Sequence, residues 1–392
     1  MSDFLMNNYS PLPVEFVKGT GSWLIDSKGE KYLDALSGIA VCGLGHSHPS
    51  ISKIITEQSA TLIHTSNIYR IPFQEQLAKK LTNHSEMDRA FFCNSGAEAN
   101  EAAIKLARLH AHNQKVDDSA IIVMENSFHG RTMGTISASG KRVRDGFKPL
   151  LGGFMHAPFN NIEALGAILK VSKNVVAIMV EPIQGEGGII VPDHGYLKAI
   201  RDLCDQNNLL MIVDEVQTGM CRTGKWFAFQ HESILPDVIT IAKALGNGVP
   251  IGACLARGRA AELFKAGSHG STFGGNPFAS RVALEVVNLL EKEEMDQQVA
   301  KLGIYFLKKL KESLQGMKGV IDIRGKGLMM GIELEKDCLN LVAKALERKL
   351  LINVTSSNVI RLLPPLIMKE SEADEVVLIL TDILKKHLLH AH

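Results

Sequence analysis

Lys243 ends the apolar run Val238-Ile-Thr-Ile-Ala-Lys243 and is followed closely by Gly246-Asn-Gly248. A lysine is seldom buried without a partner. Held in a pocket and stripped of water, its amine loses basicity and becomes a nucleophile toward carbonyl carbon, able to form a Schiff base. Upstream, Leu209-Leu-Met-Ile-Val-Asp214 puts a carboxylate at the end of a second apolar run. A lysine that bonds an aldehyde and an acid that pairs with a pyridinium nitrogen are the two anchors of a pyridoxal phosphate site.

Three further segments carry residues suited to such a site. Asn94-Ser-Gly-Ala-Glu-Ala-Asn-Glu101 follows an apolar run and opens a helical pattern. Small residues at a helix start leave backbone N–H groups free to face an anion. The same segment caps the helix through Asn94 or Ser95 with acids in the first turn. Beside Lys243 and Asp214 it reads as a phosphate cradle and a cap at once. Ser127-Phe-His-Gly-Arg-Thr132 supplies a ring to stack a flat ligand and an arginine to bind a carboxylate, or is a loop with a surface arginine. His129 reads as a hydrogen-bonding neighbour of the site rather than a metal ligand. Glu181-Pro-Ile-Gln-Gly-Glu-Gly-Gly188 is glycine-rich, and Glu186 can reach into a site. Arg361, between Ile360 and Leu362, is a cation in an apolar run and needs an anionic partner. Taken singly, Glu186 and Arg361 each read as half of a structural salt bridge.

Other patterns lead away from chemistry. Gly219-Met-Cys-Arg-Thr-Gly-Lys225 fits a phosphate-loop pattern, but Trp226 stands where the magnesium-binding hydroxyl belongs. His46-Ser-His48 and the terminal His387, His390 and His392 lack the cysteine or acid that would complete a metal set, so no metal site is expected. The formal net charge of +1 points to no nucleic acid or anionic membrane as partner. No window approaches the roughly 20 apolar residues of a membrane span. Met1-Ser-Asp3 has an acid and no basic run, so no signal peptide is expected. The six cysteines are dispersed with no Cys-x-x-Cys, as for free thiols in a reducing cytoplasm.

The elements must bring these residues together. Residues 13–34 alternate like a small antiparallel sheet, with turn residues at Gly19-Thr-Gly21 and Asp26-Ser-Lys-Gly29. From about 50 to 255, near-continuous apolar runs alternate with amphipathic helices: 90–93, 120–124, 175–180, 209–213, 238–241 and 253–255. Strands apolar on both faces belong to a mainly parallel α/β sheet covered by helices. In such sheets the functional groups gather at the carboxyl ends of the strands. The tail beyond about 290 reads as helices plus a small sheet. The predicted division is an N-terminal segment at 1–50, a large domain at 51–288 and a C-terminal small domain at 289–392.

Taken together, these motifs resemble the subgroup III aminotransferases of the fold-type-I pyridoxal-phosphate enzymes. The resemblance runs from Leu12-Pro-Val to Arg361-Leu-Leu-Pro-Pro365. It rests on Ser37-Gly-Ile-Ala-Val, Gly45-His-Ser-His-Pro49, Asn94–Glu101, Phe128-His-Gly-Arg-Thr, Glu181–Gly188, Asp214-Glu-Val-Gln-Thr-Gly, Lys243 and Ser271-Thr-Phe-Gly-Gly-Asn-Pro. It implies a large domain with a mainly parallel seven-stranded sheet and a small α+β domain drawn from both chain ends.

The resemblance also implies roles. Lys243 and Asp214 would be catalytic, Lys243 as Schiff-base lysine and proton shuttle. Pyridoxal 5′-phosphate would be bound by Gly96, Ala97, Phe128, Asp214, Glu215, Val216, Gln217, Lys243 and Thr272. Phe128 would stack on the ring, and Thr272 would come from a second copy, which implies a homodimer with shared active sites. Arg131 would hold the far carboxylate of the donor and Ser271 would touch substrate. Glu186 would mask Arg361 while an amine is bound and free it for the α-carboxylate of 2-oxoglutarate. The small-molecule donor would be N-acetylornithine, in arginine biosynthesis, with ornithine, 4-aminobutyrate and succinyl-diaminopimelate as alternatives. An aminomutase or epimerase on the same scaffold would have no use for the Glu186/Arg361 pair, and a non-catalytic interaction protein none for Lys243 and Asp214. One position departs from the pattern: Arg70 follows His64-Thr-Ser-Asn-Ile-Tyr69 where a tyrosine or another neutral residue is expected. It either alters the donor pocket or faces solvent.

Overall fold

In the computed structural model residues 4–389 are described; Met1-Ser-Asp3 at one end and His390 and His392 at the other lie outside the described residues. Strands β1 (Phe16–Thr20), β2 (Trp23–Asp26) and β3 (Lys31–Asp34) form an antiparallel meander, as the alternation predicts. His46 ties the following loop to it. Its backbone exchanges two hydrogen bonds with Gly21, at 2.9 and 3.0 Å, and its Nε2 meets Asp34 Oδ2 at 2.8 Å. The Asp34 hydrogen bond raises the imidazole pKa to about 9. His46 thus fixes the backbone of this loop.

The large sheet contains β4 (Arg89–Cys93), β5 (Ala120–Met124), β6 (Phe154–Ala157), β7 (Val175–Val180), β8 (Leu210–Asp214), β9 (Val238–Ile241) and β10 (Gly252–Ala256). Their spatial order is β4-β10-β9-β8-β7-β5-β6. Strands β5 to β9 pair in parallel, while β10 runs antiparallel to both of its neighbours. Every residue of β5, β7, β8, β9 and β10 is buried, because helices cover both faces. The long helix Gly96–Asn113 packs across β9, β10 and β7, and Tyr196–Asn207 packs on β8 and β7. Strand β6 escapes the apolar-run reading. It lies at the sheet edge, is only half-buried over Phe154-Met-His, and His156 interrupts its pattern.

The remaining strands are β11 (Val320–Lys326), β12 (Met329–Leu334), β13 (Leu350–Leu351), β14 (Asn353–Thr355) and β15 (Val359–Leu362). Four of them make an antiparallel sheet ordered β11-β12-β15-β14. Strand β13 instead pairs in parallel with β3, so both ends of the chain share one sheet. The phosphate-loop look-alike is structural. Arg222 within it is fully buried and donates through Nη1 to the carbonyls of Leu328 (3.1 Å) and Pro364 (2.5 Å). Among the described residues no helix is long and apolar enough to cross a membrane.

Candidate active site

The strands deliver their chemistry at one end of the large sheet, as parallel topology requires. The segments after β4, β5, β7, β8 and β9 surround a cavity of about 380 Å³. Its walls include Gly96, Ala97, Phe128, Arg131, Glu186, Asp214, Val216, Gln217 and Lys243. Nine of the residues expected at the site therefore converge on one space.

The helix Gly96–Asn113 begins at its rim. Ser95 caps it, accepting from Glu98 N at 3.2 Å, while Glu98 Oε2 accepts from Asn94 N at 2.7 Å. The amides of Gly96 and Ala97 have no intrahelical carbonyl to bond, so they remain donors for an anion. A Cβ at Gly96 would lie 2.7 Å from Val216 Cγ1, so only glycine lets the helix start pass under that side chain. Gly130 has φ 140° and a Cβ there would sit 2.8 Å from Ala97 Cβ, so the Phe128 loop closes against the same helix start.

Across the cavity, Asp214 is held by four groups. Its Oδ2 accepts from Asn100 Nδ2 and His129 Nδ1, both at 2.7 Å. Its Oδ1 accepts from Val216 N at 3.0 Å and Thr240 Oγ1 at 3.4 Å. The single hydroxyl proton of Thr240 is shared and goes mainly to Asn100 Oδ1, at 2.7 Å, which orients that amide. Burial alone would depress the His129 pKa; the hydrogen bond and charge of Asp214 outweigh it and raise the value. Burial pushes Glu181, which accepts from Phe128 N and Gly185 N, up to about 7.

Lys243 follows β9 in a left-handed conformation, φ 41°. For a non-glycine residue that strain is on the order of 1–3 kcal/mol, a cost concentrated at functional sites. Burial of the amine, reinforced by the nearby charge of Arg361, lowers its pKa to about 8. Arg361 is fully buried and meets Glu186 Oε1 through Nη1 at 2.5 Å and Asn353 Oδ1 through Nε at 3.0 Å. Thr355 Oγ1 and Ser356 Oγ both donate to the Glu186 carbonyl, at 2.6 and 3.2 Å, pinning that loop. Arg131 is exposed at the mouth, its guanidinium 5.7 Å from the Phe128 ring centroid.

Four expected residues stand apart. Glu215 does not line the cavity. Next to Asp214 at the strand end, its carboxylate turns away, accepting from Thr218 Oγ1 at 2.5 Å and Phe229 N at 2.9 Å, and burial pushes it up to about 7. Arg361 reaches the cavity only through Glu186. Ser271 binds Asn94 Nδ2 at 3.2 Å but lies outside the cavity of its own chain, and Thr272 is exposed. Arg70 is at the surface, clamped by Glu75 in a bidentate pair at 2.8 and 2.9 Å, away from the cavity. Asn100 and Thr240, which hold Asp214, had no role in the sequence reading. Asn100 lies within the quoted 94–101 segment, one helical turn beyond Gly96, and that spacing is the signal that locates it.

The donor set fits a pyridoxal phosphate. A helix start offers free amides to a phosphate, a fixed carboxylate stands ready for a pyridinium, and a neutralisable amine faces the cavity. In addition Gln217 Oε1 is buried without a partner, as expected of a group that awaits a polar ligand atom.

Comparison with known proteins is consistent with this geometry. The model of the family described as aminotransferase class-III matches residues 4–384. The acetylornithine aminotransferase of Nitrosomonas europaea is 54% identical over 374 residues, covering 95% of each chain. The solved acetylornithine aminotransferase of Elizabethkingia anophelis superposes with a TM-score of 0.89 at 37% identity, covering 97% of this chain and 96% of its own. An ornithine aminotransferase of Toxoplasma gondii, with PLP at partial occupancy in its active site, superposes with a TM-score of 0.94 at 35% identity, covering 97% and 91%.

Proposed function

The chain belongs to the class-III aminotransferases, and we propose that it moves the terminal amino group of N2-acetyl-L-ornithine to 2-oxoglutarate. The products are N-acetyl-L-glutamate 5-semialdehyde and L-glutamate, a step of arginine biosynthesis in the cytoplasm, with pyridoxal 5′-phosphate as cofactor. The observation that carries the reading is the Glu186–Arg361 ion pair beside Lys243, facing an Arg131 that has no acid partner among the described residues.

When bound, the cofactor supplies an aldehyde to carry the amino group and an electron-withdrawing ring to stabilise charge at the carbon that loses its proton. Gly96 and Ala97 would hold its phosphate, Phe128 and Val216 would confine its ring, Gln217 would lie near its phenolic oxygen, and Asp214 would keep its nitrogen protonated. Lys243 Nζ, at about 8, exists partly as free amine near neutral pH. It would act as general base toward the proton on the terminal carbon of the donor and then, protonated, as general acid. Arg131 holds the donor's α-carboxylate. With the donor present Glu186 stays on Arg361; with 2-oxoglutarate present it leaves, and Arg361 takes the α-carboxylate. One pocket thereby serves two substrates of different charge in ping-pong order.

Thr272 and Ser271 would complete the site of a second copy. Thr272 is exposed, and around it lie Ile63, Ile68, Tyr69 and Phe273, large apolar side chains 57%, 80%, 66% and 61% exposed. His64 packs its ring on Phe273, and Asn67 Nδ2 donates to the Ser271 carbonyl at 3.2 Å, so the two segments form one surface. Such a patch marks an interface, which supports a homodimer.

The test is a single-turnover absorbance assay on the cofactor-loaded protein with each donor in turn. N-acetylornithine should discharge the cofactor's visible absorbance fastest, and 2-oxoglutarate should restore it. No discharge with any donor would sink the proposal. In the same assay Arg361→Ala should raise the apparent KM for 2-oxoglutarate about 100-fold, since a buried charge-paired anchor is lost. The loss should fall at least about tenfold harder on the acceptor half-reaction than on the donor one. Equal losses in both would remove Arg361 from the acceptor role.

A further inference from the structure

A second cavity, of about 200 Å³, opens beyond the first and shares Phe128, Arg131 and Glu186 with it. Its new charged wall is Arg142, on the short helix Lys141–Arg144. The position of that helix is set by the site itself: Gly140 N donates to Ser127 O at 2.8 Å, next to Phe128. Among the described residues neither Arg131 nor Arg142 has a carboxylate partner. The one acid lining this cavity, Glu186, is already bound to Arg361. Two uncompensated guanidinium groups therefore face one small space, whose remaining polar walls include Asn126 and Ser356.

We propose that this cavity is the acyl subsite of the amino donor, and that Arg142 is a specificity-determining residue that donates to the acyl carbonyl oxygen. The inference rests on the donor reading above. An N-acyl amino acid offers two acceptors at the end remote from its reacting amine, a carboxylate and an amide oxygen. Arg131 takes the first and Arg142 the second. Acylation also removes the positive charge of the α-amine. A donor with a free α-ammonium brings a cation into a space that already holds two, and like charges there are costly. The same pair of arginines thus favours the acylated donor and disfavours the free diamine.

The experiment compares cofactor-loaded wild type, Arg142→Ala and Arg142→Lys. KM and kcat are measured with N-acetylornithine and ornithine. In parallel, calorimetry measures the Kd of N-acetyl-L-norvaline, which has no amine to react, and of pentanoate, which has no acyl amide. Arg142→Ala should raise the KM for N-acetylornithine about tenfold with kcat little changed, the loss expected of one charge-assisted hydrogen bond. Its KM for ornithine should fall or stay level. The preference for N-acetylnorvaline over pentanoate should shrink about tenfold, and Arg142→Lys should restore part of it. An unchanged N-acetylnorvaline preference in Arg142→Ala would overturn the acyl subsite. The donor reading is judged separately: if wild type ignores N-acetylornithine, that reading fails, while an Arg142-dependent Kd for N-acetylnorvaline would still uphold the subsite.

Discussion

Replacing Lys243 with alanine should lower kcat by about 10⁴-fold, the upper range for loss of a positioned acid–base group. The protein should still bind pyridoxal phosphate through Gly96, Ala97 and Asp214, but the cofactor should no longer become covalently fixed on borohydride reduction. Turnover within tenfold of wild type would place the proton-moving amine elsewhere. The same residue leaves a signature in the cofactor-free protein. Its amine has a folded pKa of about 8 against an ordinary 10.5. Between those values the unfolded chain keeps a proton that the folded chain has released, so stability rises with pH across that window. Below pH 8 both states are protonated and the folded state bears the full cost of a buried cation. A Lys243→Met variant lacks this titration. Its thermal-stability advantage over wild type should therefore shrink as pH rises from 8 to 10.5. A gap independent of pH would mean that the amine is not depressed.

Asp214→Asn should lower kcat by about 10³-fold, comparable to losing a preorganised charge-stabilising group. An amide has nearly the same shape, and its one oxygen can still accept from Val216 N and Thr240, while the NH2 that replaces Oδ2 faces Asn100 and His129; the backbone around the site should hold. What disappears is the negative charge that keeps the ring nitrogen protonated. Exogenous cofactor should dissociate faster from the variant, and its absorbance should respond to pH where the wild type does not. The His129 pKa should also fall, because burial remains while the aspartate that offsets it is gone. Imidazole titration by NMR reads that change directly, separately from activity. If kcat falls less than tenfold and the His129 titration does not move, Asp214 is not the ring's counter-charge.

Much of this arrangement is legible in the chain alone. Five of the seven strands of the large sheet are fully buried on both faces, so they appear as predominantly apolar runs, with Thr240 the one polar residue inside them, and a polar or charged residue at or just after their ends marks where the strands stop. Parallel topology then dictates that Phe128, Glu181, Asp214 and Lys243 share one edge, because all of them follow strands that point the same way. Strand β6 is hidden for the opposite reason: an edge strand half in water needs no continuous apolar run.

The tertiary structure decided what periodicity cannot express. Glu215 and Asp214 are neighbours in sequence, yet successive side chains at a strand end point opposite ways, and only Asp214 faces the cavity. The bonds from Asn100, His129 and Thr240 to Asp214 span separations of 114, 85 and 26 residues. Arg361 and Glu186 are 175 positions apart, and each is an ordinary charge until the small sheet carries β15 up to the large one. Arg142 looks like part of a solvated basic run and becomes a site residue only because Gly140 is tied to the Phe128 loop. The residue types determined by themselves which chemistry was possible and which ends of the strands would hold it. Which charge met which depended on loops and domains brought together from afar, and no local pattern encodes a contact whose partners lie a hundred residues away.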